Sequence, residues 1–178
     1  MKKIVVLLLL CVGLIYTWKG VTPDKRPDWF VKFVQTIKFT NKSLAIDIDE
    51  DINASENMLL EKFDHLYFAC RTVASSLGDR QCWSYISHFN EIPANSFDMY
   101  FKNDRLNSVG VYFDTQNYDE FRSYLNKNFS YVGFAPNPTN NNKIVVWFSK
   151  TSQIGLLSEK PVNKETTHIF IKKHDRLE

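Results

Sequence analysis

Glycine is scarce in this chain, six among 178 residues. None of the six builds a Gly-rich phosphate loop, and no serine sits in a Gly-flanked nucleophile elbow. Histidine is scarcer. His65, His88, His168 and His174 form no His-x-x-x-His pair and no Glu-flanked metal motif, so no metal centre is legible. Cysteine is limited to three residues. Cys70 and Cys82 have neither Cys-x-x-Cys spacing nor a second Cys or His pair beside them, which excludes a redox dithiol and a zinc finger.

An excess of positive charge is also missing from most of the chain. Lys2, Lys3 and Lys19 supply three of the 22 basic residues, leaving 19 against 20 acids after the N-terminus, a net charge of −1. Nucleic-acid binding needs a basic footprint, and this remainder lacks one. No role in nucleophilic or acid–base catalysis can be assigned from these residues. The expectation is a non-enzymatic chain with no cofactor and no metal.

What the chain does have is one long apolar run, Ile4 to Trp18, behind Met1-Lys2-Lys3. Its 15 residues would span about 22 Å as a helix, and extension to Val21 adds about one turn toward the ~30 Å of a hydrocarbon core. Tyr16 and Trp18 suit a membrane–water interface, Lys19 can snorkel, and the leading lysines favour an inside N-terminus. A cleaved signal would need small residues that the stretch before Gly20 does not offer, and a lipoprotein at Cys11 would need a small residue where Leu10 stands. An uncleaved signal anchor fits best. It places the chain in the cytoplasmic membrane through residues 4–18, with the C-terminal part exported to the cell envelope; the alternative is a secreted or periplasmic protein after signal cleavage.

Export gives the other two cysteines a meaning. Cys70 and Cys82 would lie in an oxidising compartment, where a structural disulfide can persist. The organisation read from the sequence is an anchor over 1–21, a juxtamembrane and acidic linker over 22–57, an exported domain over 58–174 and a tail over 175–178. Within the linker, Trp29, Phe30, Phe33 and Ile37 share a helical face and are candidates for membrane-surface contact. Asp47, Asp49, Asp51 and Asn53 alternate like calcium-loop ligands, but Ile52 stands where the loop needs glycine and Met58 where it needs glutamate. A solvated acidic face is the expected reading.

In the domain, Leu59, Phe63, Leu66, Cys70, Val73 and Leu77 recur at helical spacing, with Asn53-x-x-Glu56 as a capping box and Gly78 as a C-terminal cap. A second helix would carry Cys82, Tyr85, Ile86 and Phe89. From Ser96 the period changes to two. Phe97, Met99 and Phe101 share one face, as do Val109, Val111 and Phe113, around a turn at 102–105. Tyr118, Phe121 and Leu125 return to helical spacing, and strands follow over 143–149, 153–157 and 167–172. The expected fold is an α+β two-layer domain, an antiparallel sheet of about five strands with helices on one face. Trp83, Tyr100, Tyr112 and Trp147 are the candidate binding surface, since aromatics anchor interfaces.

The function expected is therefore a membrane-anchored adaptor, inhibitor or assembly domain that binds a protein in the envelope. A periplasmic enzyme with a dispersed site and a lipid-surface module are the alternatives. Nothing in the residues sets an oligomeric state.

Overall fold

The structure, a computed structural model, describes Trp29 and residues 43–136, 142–162 and 166–174. Residues 1–28 lie outside it, and with them the anchor; so do Phe30, Phe33 and Ile37. Among the described residues, no helix is long and apolar enough to cross a membrane.

From Ser43 the described chain runs through a short strand β1 (Ser43–Leu44), a single helical turn α1 (Ile48–Asp51) and a helix α2 (Glu56–Lys62). Two long strands follow, β2 (Ala69–Ser75) and β3 (Gly78–Tyr85), then two short ones, β4 (His88–Phe89) and β5 (Ile92–Pro93). β6 (Ser96–Lys102) and β7 (Arg105–Asp114) lead to the longest helix, α3 (Tyr118–Asn128). β8 (Ser130–Pro136), β9 (Lys143–Phe148), β10 (Ser152–Leu157) and β11 (Thr166–Lys173) complete the fold.

Eight strands form one sheet in the order β2-β3-β6-β7-β11-β10-β9-β8, and β1, β4 and β5 form a small second sheet. Every pairing in the large sheet is antiparallel. The order of elements repeats. A helix and four antiparallel strands (α2, then β2, β3, β6, β7) are followed by a helix and four more (α3, then β8 to β11), and the last strands of each set, β7 and β11, pair as the seam.

The fold class expected from the sequence is thus corrected. The chain is mostly β, with a sheet of eight strands where about five were expected and only three short helices among the described residues. The largest change lies between Leu59 and Phe89, where two helices were expected. α2 stops at Lys62, and Phe63 leaves helical geometry at φ −111°, ψ 37°. Phe63, Leu66 and Phe68 then fold into the core as a compact turn. Beyond it the chain is a β-hairpin. Cys70 and Cys82 face each other directly across it, their Cα atoms 4.0 Å apart, and form a disulfide. On antiparallel helices the two would have been offset along the axis; on paired strands no offset arises. β8 is a further strand, beyond those expected from the sequence.

Gly78 is needed for a different reason from the one expected. It starts β3, and a Cβ there would stand 2.3 Å from the Phe101 carbonyl oxygen, so the close approach of β3 to β6 admits no side chain. The turn between β6 and β7 matches the expectation for residues 102–105. Asn103 (φ 52°) and Asp104 (φ 60°) both adopt the left-handed geometry of a two-residue type I′ hairpin loop.

The core lies on one face of the large sheet. Met99, Val109, Ile171, Ile154 and Trp147 make one cross-strand row of it, and Phe97, Val111, Ile169, Leu156 and Val145 the next. α2 adds Leu59, α3 adds Phe121 and Leu125, and the small sheet adds Leu44, Phe89 and Ile92. Burying each such side chain contributes about 1.5–3 kcal/mol. Ile46, Ile48 and Ile52 are buried in the same cluster, so residues from Ser43 onward pack with the domain and do not form a solvated linker.

Candidate functional site on the open sheet face

The side chains that alternate with the core point to the other face of the sheet, away from α2 and α3. On β2, β3, β6 and β7 this face carries Arg71; Gln81, Trp83 and Tyr85; Asp98 and Tyr100; and Ser108, Gly110 and Tyr112. At its centre is a carboxylate. Asp98 is 9% exposed, directly opposite Trp83 on one side and Gly110 on the other. Gln81 Nε2 donates to Asp98 Oδ2 at 3.0 Å and to the Tyr100 hydroxyl oxygen at 3.2 Å. Tyr100 donates to the same Oδ2 at 3.3 Å, and the Tyr112 hydroxyl also donates to this carboxylate. Arg71 Nε donates to Gln81 Oε1 at 3.0 Å, which carries the network to the edge strand.

Gly110 lies beneath the Tyr112 ring. A Cβ at Gly110 would meet the Tyr112 ring at 3.4 Å, so the ring lies over the glycine on its way to Asp98. Trp83 and Tyr85 stand edge-to-face with centroids 5.9 Å apart, and His168 lies 5.4 Å from the Tyr112 ring across the seam. The result is a buried carboxylate walled by aromatic side chains.

Burial pushes the Asp98 carboxyl above the usual carboxylate range; the hydrogen bonds from Gln81, Tyr100 and Tyr112 and the charge of Arg71 offset this only in part. Burial also raises Tyr100 and Tyr112, and the nearby Asp98 charge raises both further. Both phenols therefore stay protonated and donating at neutral pH.

Of the four aromatics expected to form a surface, the structure gathers three. Trp83, Tyr100 and Tyr112 share this open face. Trp147 lies on the core face with no exposure, its indole Nε1 donating to Asn126 Oδ1 at 3.0 Å, and it has no part in a surface. Trp29 is 62% exposed. Asp98, Gln81 and Arg71 are not expected at a site from the sequence, and Tyr85 is expected on the face of a helix. The signal was present for Asp98: it stands between the core positions Phe97 and Met99, so it shares its face with Tyr100.

Other clusters are committed elsewhere. Glu56, Cys70 and Cys82 bring three ligand atoms within 4.8 Å of one another, but the sulfurs are bridged and Arg80 Nε donates to Glu56 Oε2 at 2.6 Å. A disulfide sulfur is no thiolate ligand. The acidic run serves local structure. Asp47 caps α1 by accepting from the Asp49 and Glu50 amides, and Asp51 is paired with Lys62 at 2.6 Å. Asp49 Oδ1 accepts from the Thr151 amide and hydroxyl. Burial alone would raise the Asp49 carboxyl, but hydrogen bonds from Ser149, Thr151 and the Lys150 backbone outweigh it and hold the pKa down. The capping residue of α2 is Ser55, two positions after the expected Asn53.

Two hollows lie among the described residues, and neither is lined by Asp98. A groove of about 500 Å³ runs between the end of α3 and the β9–β10 turn, lined by Lys127, Phe129, Ser130, Phe148 and Lys150 among others. A smaller one of about 320 Å³ lies against α2. No family model, no curated protein and no solved structure matches this chain.

Proposed function

We propose that the chain is a membrane-anchored, non-enzymatic protein-binding domain of the cell envelope, which meets its partner through the open sheet face around Asp98. The observation that carries this reading is the carboxylate itself. A desolvated acid costs stability when ionised, and here it sits among Trp83, Tyr85, Tyr100 and Tyr112, residue types that anchor interfaces. The chemistry fits a partner segment that presents a lysine or arginine between apolar side chains. Its cation would meet Asp98, and the aromatic faces would add cation–π attraction. The Cys70–Cys82 bridge supports an exported domain, since disulfides persist in oxidising compartments, and Ile4 to Trp18 supplies the anchor.

Asp98→Asn tests the reading through two opposed effects. The raised carboxyl means that the folded state holds its proton more tightly than the unfolded chain. Stability due to this group is therefore complete below about pH 4 and declines as pH rises through the folded-state pKa. Asparagine removes the decline. Its oxygen still accepts from Gln81 and Tyr100, and the Tyr112 hydroxyl can turn to accept. The variant should be more stable at pH 7 by about 0.5–2 kcal/mol in urea unfolding, with the gain absent at pH 4. It should also lose its partner. A photo-crosslinker at position 83, with one at the exposed α3 position 119 as control, should give a defined adduct in cells that disappears in Asp98→Asn. An adduct of equal yield with and without the charge would sink the proposal.

A further inference from the structure

At the far edge of the sheet from β2, the strand β8 contains no charged residue and exposes its large side chains. Tyr131 is 56% exposed, Val132 54% and Phe134 62%. Tyr131 and Phe134 stand opposite the core residues Trp147 and Val145, so they continue the core face to the edge of the sheet. Exposed apolar clusters of this kind mark contact surfaces. The register slips between Tyr131 and Gly133, and Pro136 ends the strand without an amide hydrogen to donate. Both features blunt the edge against pairing with another strand, so β8 offers side chains and not a backbone ladder. At the Ser130 end, the adjoining groove brings in Lys127 and Lys150, with Asp49 already engaged by the β9–β10 turn.

Aromatic and aliphatic side chains beside lysines match the interface of an anionic bilayer. We infer that the β8 edge, through Tyr131, Val132 and Phe134, with Lys127 and Lys150 near its Ser130 end, rests on the surface of the membrane that holds the chain. The inference rests on the anchor reading of Ile4 to Trp18. The 24 residues from Lys19 to Lys42 have a contour of at most about 80 Å, ample to let this edge reach the lipid. With β8 seated on the bilayer, the Asp98 face would remain open to a partner in the envelope.

The test uses the full chain with Cys11→Ser and Val132→Cys, labelled with a polarity-sensitive fluorophore; Cys70 and Cys82 stay bridged. It is reconstituted into vesicles of phosphatidylethanolamine and phosphatidylglycerol, and separately into phosphatidylcholine alone. A label at Asp119→Cys on α3 is the control. The expected result is a blue-shifted, quencher-protected emission at position 132 only, stronger in the anionic vesicles and lost when Phe134→Ser is added. Water-like emission at 132 in a chain that floats with its vesicles would overturn the inference and leave the anchor standing. Energy transfer between labelled chains that does not depend on lipid would also overturn it, by assigning β8 to a second copy. A chain that fails to float would remove the anchor reading, and this inference with it.

Discussion

Truncating Phe121 to alanine is expected to remove about 3–5 kcal/mol of folding free energy. Phe121 has no exposure, and its ring stacks on Phe113 of β7 with centroids 3.9 Å apart. The same ring lies 6.5 Å from Phe89 of β4. One side chain thus ties α3 to both the large sheet and the small sheet. Surrounding rings cannot collapse into the void, because Phe113 and Phe89 are fixed on paired strands. Against a typical total of 5–15 kcal/mol the loss is large. Urea unfolding of Phe121→Ala beside Ser123→Ala, an exposed position on the same helix, measures it; the control should change by no more than about 0.5 kcal/mol. A loss below about 1 kcal/mol for Phe121→Ala would mean that α3 is not docked as described.

The second large effect belongs to the disulfide. Cys70 and Cys82 close a loop of sequence separation 12, for which the chain-entropy relation gives about 3 kcal/mol. The bridge also fixes β2, an edge strand whose remaining ties within the sheet run to β3 alone. Cys70→Ala combined with Cys82→Ala should lower the unfolding free energy by about 2–5 kcal/mol. Reductant should lower the unfolding free energy of the native chain by a similar amount and leave the double variant unmoved. A native chain insensitive to reductant under unfolding conditions would show that the thiols are not bridged.

The same hairpin explains why the sequence was legible in some stretches and misleading in others. On β6 and β7, apolar residues alternate with polar or smaller ones, Phe97-Asp98-Met99 and Val109-Gly110-Val111, and the period of two is plain. β3 inverts that signal. Its core face carries Arg80, Cys82 and Ser84, while its open face carries Gln81, Trp83 and Tyr85. The large aromatics therefore sit on the side that a pattern search takes for solvent. β2 adds to the confusion, because Cys70, Val73 and Leu77 extend the spacing of Leu59, Phe63 and Leu66 by coincidence of a turn and a strand. Local periodicity cannot distinguish that from one continuous helix. α3 read correctly from residue 118 because its stripe, Tyr118, Phe121 and Leu125, lies within one unbroken element. The site shows the same division. Tyr100 and Tyr112 were visible as off-core residues of clean strands, whereas joining Gln81 and Arg71 to them required the pairing of β2 with β3 and β3 with β6, a tertiary fact.

The seam between the two halves has a consequence in time as well as in space. Across it Asp114 faces Thr166 and Ser108 faces Lys172, separations of 52 and 64 positions, while no other neighbouring pair in the large sheet exceeds 21. Each half can zip from its own turns at modest loop-closure cost; joining them must close the longest loop in the sheet. The barrier to folding then precedes the seam, and the seam forms on its downhill side. Ile171→Val should accordingly speed unfolding and leave refolding nearly unchanged, whereas slowed refolding would place the seam in the nucleus. The chain would behave kinetically as two small proteins that become one in the last step.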